Sequence, residues 1–427
     1  MTVTVTPAAV GGRAEAPGSK SYLHRLLICA ALADGETEIS GVTRSEDIDA
    51  TARCLEDLGA SLAFDAEKCR VRPAVTGKSA AASGENLPEL DCGESGSTLR
   101  FLMPVAAAVC GGASFRGAGR LAERPIADLV AAMRHGGVEF SAEKLPLTER
   151  GWLRAGDYLL PGDVSSQYVS GLLMALSVVE GKSRILLSSV LESAPYVRMT
   201  LHTLREFGAE VCVCGEGYAV RGRASLSSPG AVRAEGDWSN AAFLLALGAL
   251  CGRVEVSGLS LASEQGDREV LDILRRFGAE VETGDGFAAV SPGGGLHGCE
   301  IALGDIPDLL PVLAVVAANA QAGEVTRFTG AARLRLKESD RIHTVAELIR
   351  SLGGQAEELP DGLVVAGGGL RGGRADGAGD HRIVMSAAVA AARCEYSVEI
   401  SGAEAVAKSY PRFFRDYREL GGRVYGV

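Results

Sequence analysis

The feature that most constrains this chain is a repeat. Six segments are built alike, each an amphipathic helix that stops at a glycine and runs into a β-rich stretch. They read ARCLEDLGASL from Ala52, LVAAMRHGGVEF from Leu129, TLHTLREFGAEV from Thr200, VLDILRRFGAEV from Val270, VAELIRSLGGQAE from Val345 and FFRDYRELGGRV from Phe413. The stop glycines are Gly59, Gly136, Gly208, Gly278, Gly353 and Gly421. Glycine closes a helix at the least steric cost because it enters the left-handed region freely, so each is expected in that conformation. A period of roughly 70 residues, carried six times, accounts for the whole chain and outranks any local reading.

A second helix type keeps the same period. Near Ser19, Ser95, Ser165, Asp237, Asp308 and His381 the sequence turns almost wholly apolar, as in LLICAALA, AAFLLALGAL and LLPVLAVVAANA. A helix that is apolar all round is buried on every side. Short β-rich runs such as TEISGV and RVEVSG follow, and then the amphipathic helix. One unit is therefore strand, buried helix, strand, surface helix, two strands. Sheets wrapped around a helical centre follow, as two pseudo-symmetric domains of three units each, with the change between halves near Ser225–Gly230.

The starts of the buried helices are chemically unlike the helices themselves. They read PGSKS, CGESGSTLR, SSQ, GDWSN, DIPD and DHR. Unpaired N–H groups and a partial positive charge make a helix N-terminus an anion site, which Ser, Gly and basic residues complete. Taken singly, Ser or Asp there is an ordinary N-cap; six at one period, three of them joined by Lys or Arg, favour a site. Charged turns recur before the surface helices as well: RSED, LAERPI, ESAPY, EQGD, LRLKESDR and AKSYPR. Equivalent loops of stacked units sit on one face. Lys20, Arg25, Arg100, Arg124, Arg341, Arg382 and Lys408 are then expected to line a basic cleft, although the net charge of the chain is −11. That balance argues against a general nucleic-acid or anionic-membrane surface, and a local basic cleft suits a substrate with several phosphates or carboxylates.

Two carboxylates stand out. Glu338 lies within a helical turn of Lys337 and Arg341, and cations lower a carboxyl pKa, so Glu338 exchanges protons only where desolvation or a bound anion offsets them. Asp308 precedes an apolar run, which makes it an N-cap, a carboxylate in a dry cleft, or both. The ten cysteines are scattered without a CxxC pair, so neither structural zinc nor a disulfide framework is expected, and a reducing cytoplasm fits. Met1–Val10 lacks the basic start and apolar run of a signal peptide, and no apolar run has the length and flanks of a membrane span; a soluble cytoplasmic protein is expected.

In order and spacing, PGSKSYLHR, CGESGSTLRFL, ERPIADL, SSQYVSGLL, SAPY, DIPD, LRLKESDRI, DHRIVMS and AKSYPRFF resemble the family of the 5-enolpyruvylshikimate-3-phosphate synthases over essentially the full length. The resemblance implies an α/β fold of the enolpyruvyl transferase type, a two-domain inside-out α/β barrel of six βαβαββ repeats, three per domain. It implies a discontinuous domain of residues 1–17 and 235–427, a second of residues 18–234, and an active site in the cleft between them. It further implies a monomer that transfers the enolpyruvyl group of phosphoenolpyruvate to the 5-hydroxyl of shikimate 3-phosphate, releases phosphate, and uses no metal and no organic cofactor. By the same resemblance shikimate 3-phosphate would meet Lys20, Ser21, Arg25, Ser165, Ser166, Gln167, Ser193, Tyr196, Asp308 and Lys337. Phosphoenolpyruvate would meet Lys20, Gly96, Arg124, Gln167, Arg341, Arg382 and Lys408. Asp308 would accept the hydroxyl proton and Glu338 would protonate the vinyl carbon, with Lys20 or Lys408 sharing those roles.

The chain departs from the family pattern at four places. Glu94 stands where many members carry asparagine, Ser97 where many carry threonine, Phe101 where many carry proline, and Arg333 where some carry an asparagine that contacts shikimate. The retained Gly96 implies inhibition by glyphosate, competitive with phosphoenolpyruvate. The related UDP-N-acetylglucosamine 1-carboxyvinyltransferases are the alternative. They carry a reactive cysteine before their Arg-Pro motif, whereas RGAGRLAERP from Arg116 has none and Cys110 falls in an apolar helix. An RNA 3′-phosphate cyclase would need a catalytic histidine, for which His381 is poorly placed. A non-catalytic solenoid would let charge vary freely among its loops, which this chain does not do.

Overall fold

Alternating residues decide the strands and all-round apolar residues decide the inner helices. The computed structural model describes residues 1–73, 87–215 and 217–427. Among these residues, 24 short strands pair into six four-stranded sheets of one pattern. In one of them Asp157–Leu160 runs parallel to Gly181–Leu187, which pairs antiparallel with Gly217–Gly222, which pairs antiparallel with Glu210–Cys214. A parallel pair needs a crossover, and the inner helix Ser166–Leu176 supplies it.

The chain divides into two compact units. The continuous unit is Gly18–Ala234; the discontinuous unit joins Met1–Pro17 to Glu235–Val427. Each holds three sheets and three inner helices. In the continuous unit the helices are Lys20–Ala31, Gly96–Val109 and Ser166–Leu176, and their apolar residues form one core. In the discontinuous unit they are Trp238–Leu250, Leu310–Ala318 and His381–Arg393. Every residue of Leu310–Ala318 is buried. The outer helices are buried on one face only: Glu46–Asp57 tucks in Ile48, Cys54 and Leu55 while Arg53, Glu56 and Asp57 stay exposed.

Strand partnership explains where the chain changes unit. Thr2–Thr6 lies between Val398–Ser401 and Arg423–Tyr425, so the first strand completes the last sheet. Gly12–Glu15 pairs with Val254–Ser257, whereas Ala231–Arg233 pairs with Thr37–Ser40. The change falls at Ala234, beyond Ser225–Gly230, because Ala231–Arg233 still fills the edge of a sheet in the continuous unit. Five of the six stop glycines have positive φ, from 71° at Gly208 to 99° at Gly59. The second repeat differs: Gly136 has φ −74° and the left-handed residue is Gly137 at 95°. Gly136 is required for another reason, since a Cβ there would run into the Tyr158 ring.

Glu149 breaks the inside-out rule for charge. It sits in the strand Leu147–Arg150, fully buried, and neither carboxylate oxygen has a hydrogen-bond partner. Burial alone pushes its carboxyl well above the ordinary carboxylate range. The folded protein then keeps a proton that the unfolded chain releases near pH 4.3, and stability falls as pH rises above that value. Glu149→Gln is expected to match the wild type at pH 4 and to be more stable by about 1–3 kcal/mol at pH 8, read from urea unfolding. Equal stability at both pH values would show that the carboxyl is solvated in solution.

Candidate active site

Arginine 341 organises the cluster in the discontinuous unit. It is the first residue of the helix Arg341–Ser351, capped by Asp340, and only 1% exposed. Its guanidinium bonds three carboxylates: Nη1 donates to Asp308 at 2.6 Å, Nη2 to Glu338 at 2.7 Å, and Nε to Asp380 at 2.7 Å. Asp380 is fully buried, also accepts from Ser339 Oγ at 3.0 Å, and caps the helix His381–Arg393 through the Arg382 N–H. Its burial opposes ionisation, but Arg341 and His381 outweigh that and leave the carboxyl below its usual range. A planar fork with several donors can hold three acceptors in fixed directions, which an ammonium cannot do.

Asp308 receives a second arginine. Arg382 Nη2 donates to its Oδ2 at 3.1 Å, and Arg382 Nη1 to its carbonyl at 3.4 Å. Burial raises the Asp308 pKa, yet Arg382, Lys337 and Arg341 together prevail and hold it well below the carboxylate range. Asp308 is not an N-cap. It lies inside the 3-10 turn Pro307–Leu309, and the helix that follows has no side-chain cap. The other inner-helix starts are true caps: Ser19, Ser95, Ser165, Asp237 and Asp380 each accept a backbone N–H. Lys408 ends the 3-10 turn Ala403–Lys408 and donates to the Gly379 carbonyl at 2.7 Å, beside the start of the His381 helix.

The continuous unit gathers a second set of cations. Lys20 opens the first inner helix and pairs with Asp47 at 2.6 Å. Arg25, one turn on, is buried and donates from Nε to Thr200 at 2.7 Å, from Nη1 to the Ser21 carbonyl at 2.6 Å, and from Nη2 to the Tyr196 carbonyl at 2.9 Å. Its guanidinium carbon lies 5.0 Å from the centre of the Phe101 ring. Burial lowers its pKa to about 10, so it stays charged at neutral pH. Arg100 donates to Gln167 Oε1 at 2.7 Å and to the Pro125 carbonyl at 3.0 Å, while Gln167 Nε2 donates to Ser97 at 2.9 Å. Gly96 is the first residue of its helix, and a Cβ there would come within 2.6 to 2.9 Å of the Arg124 guanidinium. Ser193, the N-cap position of Ala194–Glu206, has φ +55°, a strained value for serine that marks a position fixed by its surroundings.

The residues expected from sequence thus fall into two sets. Asp308, Lys337, Glu338, Arg341, Arg382 and Lys408 belong to the discontinuous unit, and Lys20, Ser21, Arg25, Gly96, Arg124, Ser165, Ser166, Gln167, Ser193 and Tyr196 to the continuous one. Asp47, Asp380, Ser170 and Thr200 were not among the expected site residues, though they hold Lys20, Arg341 and Arg25. RSED and DHR contain two of them, but their partners lie 27 and 39 positions away, beyond any local pattern. Of the departures, Ser97 bonds Gln167, Phe101 stacks on Arg25, and Arg333 Nη2 donates to the Gly304 carbonyl at 2.7 Å. Among the described residues no three His, Cys, Asp or Glu side chains gather as a metal site requires.

This fold is that of the enolpyruvyl transferases. The crystal structure of the enolpyruvyl transferase NikO from Streptomyces tendae matches it with a TM-score of 0.78 at 19% identity, over 100% of this chain and 98% of that one. EPSP synthase from Acinetobacter baumannii matches with a TM-score of 0.80 at 26% identity, over 100% of both chains. The family model of EPSP synthase (3-phosphoshikimate 1-carboxyvinyltransferase) matches residues 5–417. Proteins named 3-phosphoshikimate 1-carboxyvinyltransferase are 38% identical in Clostridium acetobutylicum, over 99% of this chain and 98% of that one, and 39% identical in Methanopyrus kandleri, over 98% and 97%. The chain belongs to the EPSP synthase family.

Proposed function

We propose that this protein transfers the enolpyruvyl group of phosphoenolpyruvate to the 5-hydroxyl of shikimate 3-phosphate and releases phosphate, on the route to aromatic amino acids. Family membership over nearly the full length supports the reaction. The observation that carries the chemistry is Asp308, one carboxylate held between Arg341 and Arg382 with Glu338 on the same guanidinium. Both substrates bring phosphate and carboxylate, and fixed cations must offset their repulsion. In this reading Lys20, Ser21, Arg25, Ser165, Ser166, Gln167, Ser193, Tyr196, Asp308 and Lys337 bind shikimate 3-phosphate. Lys20, Gly96, Arg124, Gln167, Arg341, Arg382 and Lys408 bind phosphoenolpyruvate.

The proton steps follow from what the arginines do. While both hold Asp308, it is too weak a base; substrate anions that take up Arg341 and Arg382 loosen that hold and raise its affinity for a proton. Asp308 then takes the 5-hydroxyl proton as the oxygen bonds to C2 of phosphoenolpyruvate, and Glu338, which takes up a proton from solvent once bound anions draw Arg341 away, gives that proton to C3. The tetrahedral ketal collapses when C3 returns its proton to Glu338, the C2–O bond to phosphate breaks, and Asp308 passes the hydroxyl proton to the departing phosphate. Ten unpaired cysteines support a cytoplasmic location. Among the described residues no helix is long and apolar enough to cross a membrane.

The test is phosphate release from phosphoenolpyruvate with shikimate 3-phosphate or UDP-N-acetylglucosamine as acceptor. Release with the shikimate ester alone is expected; release only with the nucleotide sugar would assign the chain to the alternative reaction. Gly96→Ala provides a second check, because the added methyl displaces Arg124. It is expected to raise the KM for phosphoenolpyruvate and the inhibition constant of glyphosate on the order of ten- to a hundredfold, with the KM for shikimate 3-phosphate unchanged. An unaltered glyphosate affinity would remove Gly96 from that site.

A further inference from the structure

Every nitrogen of the Arg25 guanidinium is bonded by the protein itself. Nη1 donates to the Ser21 carbonyl one turn back at 2.6 Å, and Nη2 to the Tyr196 carbonyl at 2.9 Å. Nε donates to Thr200 Oγ1 at 2.7 Å, while Nη2 also reaches Ser170 Oγ at 3.4 Å. Those two hydroxyls are bonded to each other at 2.8 Å, so they form one acceptor pair along the Nε–Nη2 edge of the guanidinium. Thr200 and Ser170 are fully buried. They come from the helices Ala194–Glu206 and Ser166–Leu176, and Arg25 from Lys20–Ala31, all within the continuous unit.

The hydroxyl pair decides which way the arginine points. A bond at Nε fixes how the guanidinium plane is turned about its stem, which bonds at the terminal nitrogens alone leave freer. With the Nε–Nη2 edge occupied, a substrate oxygen is met only by the remaining protons of the terminal nitrogens, in a direction set before binding. Thr200 has a second task. Its hydroxyl also lies 3.1 Å from the Tyr196 carbonyl, the same oxygen that accepts from Arg25 Nη2. The Tyr196 N–H in turn donates to the Ser193 carbonyl at 3.1 Å, closing the turn that begins at the φ +55° residue. One buried hydroxyl therefore ties together Arg25, Tyr196 and Ser193, three of the residues assigned to shikimate 3-phosphate.

We propose that Thr200, together with Ser170, is a positioning residue for shikimate 3-phosphate: it acts through Arg25 and the Tyr196 turn and sets the direction from which they meet that substrate. The proposal rests on the reading of Arg25 as a ligand of shikimate 3-phosphate. Valine at 200 has the shape of threonine but no oxygen. It leaves the Nε–H of a buried cation without its acceptor and lets the guanidinium turn away from the substrate. The cost falls on the binding of one substrate, because neither phosphoenolpyruvate nor the proton steps depend on Arg25 in this scheme.

The experiment measures initial rates of phosphate release with each substrate varied in turn, in Thr200→Val, Thr200→Ser and Ser170→Ala, and in Thr200→Val combined with Arg25→Met. Thr200→Val is expected to raise the KM for shikimate 3-phosphate about ten- to thirtyfold, with kcat and the KM for phosphoenolpyruvate within about twofold of wild type. Thr200→Ser keeps the oxygen and is expected to recover the KM to within about threefold of wild type. Ser170→Ala removes only the second hydroxyl, in a helix that favours alanine, and is expected to raise the same KM about threefold. In the Arg25→Met background Thr200→Val is expected to add nothing, since the two share one interaction. A merely structural role would lower kcat through the active fraction, leave each KM alone and act equally with or without Arg25; any of these results overturns the proposal. Where circular dichroism shows Thr200→Val to be unfolded, a wild-type KM in Ser170→Ala, or a tenfold higher one in Thr200→Ser, overturns it. Arg25→Met with an unchanged KM for shikimate 3-phosphate would overturn the reading of Arg25 and this proposal with it. A raised KM in Arg25→Met beside a wild-type KM in Thr200→Val overturns this proposal alone.

Discussion

Asp308→Asn is expected to slow phosphate release by about 10²- to 10⁴-fold without unfolding the protein. Asparagine keeps the shape of the side chain and one oxygen that can accept from Arg341 or Arg382, but its amide cannot take the hydroxyl proton. The fold should tolerate the change because Arg341 keeps Asp380 and Glu338 as partners. The loss should fall on the single-turnover rate, with the KM for phosphoenolpyruvate little changed or lower, since removing the aspartate frees two arginines for the substrate's anions. Single-turnover release measured beside a thermal melt separates these effects. A folded variant that releases phosphate within a few-fold of wild type would deny Asp308 its role.

Arg341→Met should be the most destabilising single change in the cluster, by about 3–5 kcal/mol at pH 7. Methionine fills much of the volume but leaves Asp308, Glu338 and Asp380 facing one another without the guanidinium that joins them. Asp380 has no recourse to water, since it is fully buried. The penalty should depend on pH in a definite sense. The wild-type Asp380 carboxyl is depressed by Arg341, so the stability it contributes is present above the unfolded pKa of about 3.9 and is lost as pH falls through the lower folded value. In the variant the carboxyls lack their cation and take up protons more readily, so acid relieves their repulsion. Urea unfolding should therefore show a wide gap between wild type and variant at pH 7 that narrows at pH 4. A variant as stable as wild type at pH 7 would mean that the carboxylates find other partners.

Much of the architecture was legible because it repeats. One glycine-stopped helix proves little, but Gly59, Gly208, Gly278, Gly353 and Gly421 in left-handed turns reflect one steric need met at one period. Gly136 shows the limit of the pattern: two glycines in sequence offer two places for the turn, and the contact with Tyr158 decides between them. The inner helices were legible from composition alone, since no surface position tolerates LLPVLAVVAANA. Asp308 shows the opposite case. Aspartate before an apolar helix reads as a cap, and only the arrival of Arg341 and Arg382, 33 and 74 positions away, turns it into an ion-pair partner.

By itself the sequence determined the six-unit plan, the inside-out placement of the helices and the family, because periodicity, hydropathy and motif spacing are properties of neighbouring residues. The tertiary structure alone decided which strand completes which sheet, so that Thr2–Thr6 lies between two strands from the far end of the chain. It alone decided that one arginine holds three carboxylates, that Asp47 holds Lys20, and that Asp267 is buried with an oxygen unpaired. The reason is physical. The pKa of a carboxyl depends on burial and on charges within a few ångströms, and those distances are set by chain segments that meet only after folding.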